Sequence, residues 1–373
     1  MTDICHQDNL PGKKFSAVIM AGGTGGHIFP GLAVAKELQN RSWDVSWLGS
    51  AGGMEVELIG NTDIPLSLIS IAGLRRNGLL GWIKAPFTLI KAMFQALSIM
   101  RKINPDIVIG FGGFASGPGG IASVLSRRPL LIHEQNAVAG LTNKILARFA
   151  SKVFQAFPMA FNKVRSVETV GNPIRSEIIN LNKTKKIKSV VNILIVGGSR
   201  GARVFNEVLP VILSLLILNK KISVRHQCGK NNSKSTTDNY RKNKVDQKHE
   251  LKVEEFIENM EQAYLWADLV ICRAGALTVS EVAAVGISAI FVPYPYAVDD
   301  HQTKNALWLA EKGAAMLIDE SKLKSESSRN EITALVEEPE RIVEMGAQAK
   351  KIAYLKATEI MVSTCEALVE KAA

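Results

Sequence analysis

Cysteine is scarce in this chain, and its four cysteines stand far apart, at Cys5, Cys228, Cys272 and Cys365. They form no Cys-x-x-Cys pair, which disfavours a disulfide framework or a zinc ribbon and favours a reducing cytoplasm. The N-terminal segment lacks the long apolar core of a signal peptide. A charge-free stretch at residues 107–126 is interrupted by several glycines and Pro118, so we predict no transmembrane helix.

Acidic residues are outnumbered: Asp and Glu total 35 against 45 Lys and Arg, a formal net charge of +10. This surplus favours an anionic partner, which means nucleic acid, a phospholipid surface or a phosphorylated substrate. The basic run at residues 218–252 shows no pattern of interleaved aromatic residues. We therefore interpret it as a solvated loop and helix face, and we predict no nucleic-acid partner.

Short apolar strands alternate with glycine-rich turns and amphipathic helical stretches along the whole chain. The pattern begins with FSAVIM and restarts at VNILIVGGSRGAR, after GNPIR and a lysine-rich connection. With 373 residues, 47% of them apolar, the chain is long enough for two cores. The alternation predicts an α/β protein with two Rossmann-like, doubly wound parallel-sheet domains, at residues 1–172 and 173–355. Ligands should bind in the cleft between them, at the carboxyl ends of the strands.

Three motifs in the first half could serve this cleft. GGTGGH (residues 22–27) and GFGGFASGPGG (110–120) join a strand to a helix, where backbone N–H groups approach an anion closely. The first has Ile28 where a dinucleotide fingerprint needs its third glycine, and it is not a Walker A loop. A tight turn without a ligand is the alternative. HEQN (133–136) offers a carboxylate and an amide, or is simply a hydrogen-bonded loop.

Two motifs in the second half could bind a phosphate or a ribose. GGSRG (residues 197–201) matches a nucleophile elbow, so a hydrolase centred on Ser199 is one interpretation. We favour the other, in which Ser199 and its neighbouring N–H groups meet a phosphate. GALTVSEVAAVG (275–286) places small residues at a helix start, where Glu281 would bind ribose hydroxyls or would be a solvated helix residue.

Taken together and in this order, the motifs GGTGGHIFPGLAVA, GFGGFASGPGG, HEQNAVAGLTNK, GNPIR, GGSRGAR and CRAGALTVSE resemble those of glycosyltransferase family 28. The resemblance runs from about Phe15 to the final helix. It implies a GT-B fold and inverting transfer of N-acetylglucosamine from UDP-GlcNAc, without metal or cofactor. The acceptor implied is the C4 hydroxyl of the N-acetylmuramoyl unit of undecaprenyl-pyrophosphoryl-MurNAc-pentapeptide (lipid I), and the products are lipid II and UDP. No Asp-x-Asp motif is present in the sequence to hold a divalent ion.

The resemblance also implies the residues of the UDP-GlcNAc site. Those beside the donor sugar and the reaction centre are Thr24, Gly25, Gly26 and Asn136. Arg175 and Ser199 would bind the UDP phosphates or nearby groups. The backbone of Ile257 would hold the uracil, and Glu281 the ribose. The rest of the donor-binding helix start is Ala276, Leu277, Thr278, Val279 and Ser280. The family's glutamine pair reads His301–Gln302 here, with one extra residue upstream; Gln302 is assigned to the donor and the exact sugar contact is left open.

The general base must reach the acceptor hydroxyl, and His27 is our candidate because its imidazole stands at a helix start facing the cleft. A structural role, in which His27 donates to a backbone carbonyl and holds the loop, is the alternative. Glu134 is the reserve candidate for the base.

Between residues 73 and 102 there are six Lys or Arg and no acidic residue. This basic, aromatic-bearing stretch predicts contact with an anionic phospholipid surface. The residues assigned to it are Arg75, Arg76, Leu79, Trp82, Lys84 and Phe87. An ordinary amphipathic helix is the alternative. The resemblance implies peripheral binding at the cytoplasmic face of the cell (inner) membrane, partners in cell-wall synthesis or division, and a last helix (356–373) that returns to the first domain.

Other classes stay open at this point: a different nucleotide-sugar glycosyltransferase of GT-B fold, the hydrolase, and a non-enzymatic nucleotide-binding protein.

Overall fold

The computed structural model describes residues 14–71, 78–158, 160–161, 164, 166–181, 190–198, 201–246 and 249–371, with only the backbone for 78–85. The sequence predictions for Arg75, Arg76 and Ser199 lie outside the described residues. So do those for the side chains of Leu79, Trp82 and Lys84.

The first half of the chain forms a seven-stranded sheet. Its strands are β1 (Ser16–Ala21), β2 (Asp44–Ser50), β3 (Leu66–Ile69), β4 (Ile107–Gly112), β5 (Leu130–Glu134), β6 (Lys152–Gln155) and β7 (Val167–Thr169). Neighbouring strands pair in parallel, in the order β3-β2-β1-β4-β5-β6-β7. The apolar sequences of β4 and β5 are buried from end to end, as expected for a parallel sheet covered on both faces.

Helices cover both faces of this sheet. They are α1 (Gly25–Asn40), α2 (Glu55–Gly60), α3 (Gly78–Ile103), α4 (Ser116–Leu125) and α5 (Leu141–Leu146). Ser116 fixes the start of α4, because its buried hydroxyl donates to the carbonyls of Met20 (3.0 Å) and Gly112 (2.7 Å) at the ends of two neighbouring strands. The loops that follow β1 and β4 are therefore held side by side.

The second half repeats this architecture with six strands. They are β8 (Val191–Val196), β9 (Ile222–Gln227), β10 (Leu251–Glu254), β11 (Leu269–Cys272), β12 (Ser288–Phe291) and β13 (Met316–Leu317). The pairing is again parallel, in the order β10-β9-β8-β11-β12-β13. Its helices are α6 (Ser176–Ile179), α7 (Arg203–Leu218), α8 (Ser233–Lys242), α9 (Met260–Trp266), α10 (Ala276–Val285), α11 (His301–Ala310), α12 (Glu326–Glu337) and α13 (Pro339–Ile352). We call each sheet with its helices a lobe.

The last helix, α14 (Ala357–Glu370), follows the second lobe in the chain but packs on the first. Buried Met361 and Cys365 belong to the same core cluster as Ile28 of α1. An ion pair between Arg41 and Glu366 (2.8 Å) joins α1 and α14 at the surface.

The fold class predicted from the sequence is confirmed, since both sheets are parallel and alternate with helices. Two strands were not predicted, β3 and β7. Both lie at the edges of the first sheet, and β7 is only 3 residues long and polar in the middle. The domain boundaries at residues 172 and 355 stay a prediction. Among the described residues, no helix is long and apolar enough to cross a membrane.

Candidate active site

The site lies where strand order reverses in each sheet. In the first lobe this point is between β1 and β4, and in the second it is between β8 and β11. Loops that leave neighbouring strands in opposite directions open a crevice at the carboxyl ends of those strands. The loops at residues 22–24 and 113–115 line one crevice. The described loop residues 197–198 and 201–202 line the other, together with the loop at 273–275.

The first glycine loop, residues 22–24, is hydrogen-bonded to a buried carboxylate that was not predicted from the sequence. Glu55 is fully buried, and it accepts hydrogen bonds from Ser50 (N–H 2.8 Å, O–H 2.6 Å) and from the N–H of Gly23 (3.0 Å). Burial alone raises the pKa of Glu55, but these hydrogen bonds outweigh it and leave the pKa below its usual value. The N–H of Gly23 is thus occupied by the protein itself. Thr24 and Gly26 remain exposed.

The second glycine loop packs on the first by direct backbone contact. A Cβ placed on Gly113 would stand 2.4 Å from the carbonyl oxygen of Gly22, and Gly113 has φ +88°. At Gly113 the close approach is therefore made by the protein's own chain.

His27 stands in the first turn of α1, half-buried beside Gly112. Its Nδ1 lies 2.7 Å from Oε1 of Gln135, in the loop after β5. The base candidate and the HEQN motif are thus brought together. Gln135 had no assigned role in the sequence.

Glu134, the reserve candidate, has both carboxylate oxygens engaged by its own loop. Oε1 accepts from the backbone N–H (3.0 Å) and side-chain amide (3.3 Å) of Asn136, and Oε2 accepts from the N–H of Gly140 (3.1 Å) and the amide of Asn143 (2.9 Å). This carboxylate accepts four hydrogen bonds and Glu134 is only 2% exposed, so it stabilises the loop and is not accessible to a substrate. The geometry therefore favours His27 over Glu134.

Two buried asparagines join the lobes at this point, and neither was predicted as a site residue. The Asn172 amide donates to the carbonyl of Gln135 (3.1 Å) and to the hydroxyl of Ser280 in α10 (3.0 Å). Asn305 of α11 accepts from the N–H of Ala137 (2.8 Å) and donates to Oδ1 of Asn136 (3.3 Å). Asn136 is thus placed at the junction of the two lobes.

The second lobe contributes the N-terminus of α10. Gly275 caps the helix without any side-chain hydrogen bond, and the first backbone bond closes from Val279 to Gly275 (2.9 Å). The N–H groups of residues 276–278 come before that bond and are free of helical partners. Their partial positive charge suits a diphosphate, as the sequence predicts.

Arg175 and Glu281 face one another, although the sequence assigns them to different parts of the donor. The guanidinium of Arg175 lies 3.5 Å from Oε1 of Glu281, while Oε2 accepts the Tyr264 hydroxyl at 3.0 Å. Burial raises the pKa of Glu281, and Arg175 and Tyr264 oppose that rise. The interpretation of Glu281 as a solvated helix residue is wrong, because its side chain is only 9% exposed.

Ile257 and Gln302, which the sequence assigns to the uracil and the sugar, each take part in a hydrogen bond of a glutamine side chain. The N–H of Ile257 donates to Oε1 of Gln227 (3.4 Å), whose amide donates to the carbonyl of Gly198 (3.0 Å). Gln227 thus links the predicted uracil position to the phosphate loop, and sequence reasoning missed it. Gln302 accepts the N–H of Tyr294 (2.9 Å), which leaves its amide nitrogen for a sugar.

The hydrolase interpretation requires a histidine that can activate a hydroxyl. His226 is fully buried, with Nδ1 against the Tyr240 hydroxyl and Nε2 against the Asn206 amide oxygen, both at 3.1 Å. Burial lowers the pKa of His226 to about 3. This histidine supports the second lobe from inside and faces no substrate. Over the described residues, no group of three or more His, Cys, Asp or Glu side chains is arranged to hold a metal ion.

Two Rossmann-like lobes with crevices meeting at a shared junction are the architecture of the GT-B fold. Residues 17–155 match the glycosyltransferase family 28 N-terminal domain, and residues 192–360 match the C-terminal domain of that family. This chain belongs to glycosyltransferase family 28.

Similar proteins of known name agree with this family. A UDP-N-acetylglucosamine–N-acetylmuramyl-(pentapeptide) pyrophosphoryl-undecaprenol N-acetylglucosamine transferase of Marinobacter nauticus is 47% identical over 359 residues, which is 95% of this chain and 97% of the relative. A crystal structure of Acinetobacter baumannii MurG is 41% identical, with a TM-score of 0.81 over 94% of this chain and 99% of that one. A UDP-GlcNAc 2-epimerase from Neisseria meningitidis, 14% identical with a TM-score of 0.64 over 94% of this chain and 99% of its own, shares the fold alone.

The contact between the two glycine loops generates a stability prediction. Gly113→Ala should lower the free energy of unfolding by about 2–4 kcal/mol, because the new Cβ meets a carbonyl oxygen at a positive φ. Gly117→Ala, in the first turn of α4, is the matched control: its Cβ would lie 3.7 Å from the nearest atom, an ordinary contact. The urea unfolding midpoint measures both. Equal midpoints for the two variants would contradict the prediction.

Proposed function

We propose that this enzyme transfers N-acetylglucosamine from UDP-GlcNAc to the C4 hydroxyl of the N-acetylmuramoyl unit of lipid I, giving lipid II and UDP in peptidoglycan synthesis. The full-length match at 47% identity to a transferase of that name is the observation that carries the proposal. Each group that the reaction needs has a counterpart in the two crevices.

The reaction is a single displacement. The acceptor oxygen bonds to the anomeric carbon of GlcNAc while the bond from that carbon to the diphosphate breaks, so the configuration inverts. The hydroxyl proton passes to His27, and UDP leaves with the electron pair. His27 suits this step because it is half-buried at the edge of the crevice and is oriented by Gln135 at 2.7 Å.

The donor is assigned to the second lobe. The N–H groups at the start of α10 and the backbone at Gly197, Gly198 and Gly201 stabilise the negative charge that develops on the leaving diphosphate. Gly198 has φ +84° and open space around its α-carbon, so its backbone is accessible. The contact between the Arg175 guanidinium and the Glu281 carboxylate is long, at 3.5 Å. When the donor binds, this contact breaks, so that Glu281 binds the ribose and Arg175 binds the phosphates.

The base assignment gives a kinetic prediction. His27→Ala should lower kcat about a hundredfold or more with a modest change in the KM for UDP-GlcNAc, because the proton acceptor is lost and donor contacts are kept. UDP release with a soluble lipid I analogue measures turnover. His249→Ala is the matched control, since His249 pairs with Asp246 (2.9 Å) in the other lobe. Near-normal turnover of the His27 variant would remove this residue from the role.

We further propose that no divalent ion assists the departure of UDP. The sequence has no Asp-x-Asp motif, and helix N–H groups and Arg175 are available for the diphosphate. Excess EDTA should therefore leave kcat within about twofold of its value without chelator. A rate that EDTA abolishes and Mg²⁺ restores would disprove metal independence.

We also propose that the first lobe binds the cytoplasmic face of the cell membrane, where a lipid-linked acceptor resides. Large apolar side chains lie exposed on α3, α4 and α5, which pack side by side, and in the turn that follows α5. We call this set the apolar face: Phe87, Ile90, Phe94, Ile121, Leu125, Leu141, Ile145 and Phe149. Phe87 is 74% exposed and Phe94 is 69% exposed, so the described part of α3 does not bury these rings in the core.

Basic residues accompany the apolar face, and Lys91, Arg127, Arg128, Lys144 and Arg148 are on or next to the same helices. Apolar side chains that enter the headgroup region, with cations around them, are the arrangement of a peripheral protein on anionic lipid. Partners among cell-wall synthesis and division proteins stay a prediction from the family resemblance.

Vesicle sedimentation tests the membrane proposal. Replacing Phe87 and Phe94 with Ser should lower binding to anionic vesicles at least tenfold, since two large apolar groups are lost. Val211 and Leu215 of α7 are 43% and 66% exposed, and the same change there is the control. Replacing Arg75, Arg76 and Lys84 with Gln should also weaken binding to anionic vesicles. Equal sedimentation of the wild type with neutral vesicles would contradict the electrostatic part.

A further inference from the structure

The atom that faces Nδ1 of His27 determines which ring nitrogen carries the hydrogen of the neutral imidazole. That atom is Oε1 of Gln135, at 2.7 Å. A neutral imidazole has one ring hydrogen, and an oxygen that can only accept draws it to the nearer nitrogen. With the hydrogen on Nδ1, the lone pair remains on Nε2, which is the form able to take a proton there.

The orientation of the Gln135 amide is fixed from its other end. Its nitrogen lies 3.0 Å from the backbone carbonyl oxygen of His133 and 3.0 Å from Nδ1 of the same residue. A carbonyl oxygen only accepts, so the amide NH₂ must face it. The reversed amide would set two acceptors against each other in a loop where Gln135 is 1% exposed. Oε1 is therefore directed to His27.

His133 is fixed in turn by the junction between the sheets. Its Nε2 lies 2.8 Å from the carbonyl oxygen of Gly171, so Nε2 carries the hydrogen and Nδ1 is left to accept from Gln135. The ring is fully buried beside Phe111 (ring centroids 5.7 Å apart). Burial lowers the pKa of His133 to about 4, so the ring is neutral at pH 7.

We propose that Gln135 and His133 are positioning residues that hold His27 in the tautomer with its hydrogen on Nδ1 and its lone pair on Nε2. This inference rests on the proposed role of His27 as general base. The series His27–Gln135–His133–Gly171 runs from donor to acceptor in one direction only, and each member admits a single arrangement of hydrogens.

The backbone of Gln135 is held at the same junction. Asn172, the residue after Gly171, donates to the Gln135 carbonyl at 3.1 Å. The peptide and the amide of Gln135 are therefore both fixed by residues 171–172, where the chain leaves the first sheet.

The test measures the tautomer directly and turnover separately. The ¹⁵N chemical shifts of His27, in full-length protein labelled on histidine and assigned with His27→Gln, distinguish a protonated from an unprotonated ring nitrogen. In wild type, Nδ1 should be the protonated one. In Gln135→Met the two nitrogens should become averaged, and kcat should fall about tenfold or more with the KM for UDP-GlcNAc within about twofold. The loss of a tautomer-fixing group in a serine-protease triad costs about 10⁴-fold, which sets the upper end.

Two further variants make the test specific. Gln155→Met removes another buried glutamine, which bonds to Thr169 and Phe161 at the end of β6, and should change neither tautomer nor kcat. His133→Phe keeps the ring shape and one of the two Gln135 donor contacts, so its kcat should fall less than that of Gln135→Met. If His133→Phe does not fold, the two glutamine variants still decide.

The outcomes separate this proposal from the proposed function. A hydrogen on Nε2 in wild type, or a Gln135→Met variant with unchanged ring shifts and kcat, would overturn the positioning role. If the ring shifts change as expected but His27→Ala turns over normally, the positioning contact stands and the base assignment fails.

Discussion

The site depends on one segment, residues 133–136 at the end of β5 and in the loop after it, whose polar side chains all find partners inside the protein. His133, Glu134 and Gln135 are each 2% exposed or less. Polar groups at that depth are tolerated only when their hydrogen bonds are satisfied, and an unsatisfied one costs about 1–3 kcal/mol. Because both oxygens of Glu134 and both ends of the Gln135 amide are engaged, the loop has one favourable arrangement. That arrangement places Gln135 against His27 and Asn136 against the second lobe.

The same loop makes the two lobes depend on each other. Asn172 shares its amide between the Gln135 carbonyl and Ser280, at 3.1 and 3.0 Å, and Asn305 binds both Asn136 and Ala137. Each hydrogen bond contributes about 1 kcal/mol, so this small set resists separation of the lobes without preventing it. A donor bound at the start of α10 would lie near Ser280, which contacts Asn172, and Asn172 also contacts Gln135, the residue that faces the proposed base His27. Donor site and base are therefore connected by a few contacts.

The sequence was informative where a local pattern of residues indicates one kind of structure. Strand and glycine-loop alternation predicted both sheets. The HEQN and GALTVSE motifs lie beside the junction of the lobes, and their binding roles stay predictions. Sequence reasoning failed where the decisive fact is a partner distant in the chain. Glu55 lies on a short helix and resembles a surface residue, yet it holds Gly23, 32 residues away. Asn172 and Asn305 make contacts across 108 and 169 residues, and no local pattern reports such pairings. The edge strands β3 and β7 were missed because they are only 4 and 3 residues long, too short to show a clear apolar pattern.

A fold shared by transferases and epimerases does not determine the reaction, so the chemistry must be sought in a few atoms. Glycosyl transfer needs a lone pair beside the acceptor and positive potential beside the leaving diphosphate at the same moment. Free N–H groups at the start of α10 supply the potential without any side chain. The lone pair is different, because an imidazole offers it on either nitrogen unless something selects one. In this protein the selection is made by a buried amide whose own direction is set by a backbone carbonyl. A backbone carbonyl, a group that every residue type carries, thereby fixes which nitrogen of His27 can receive a proton.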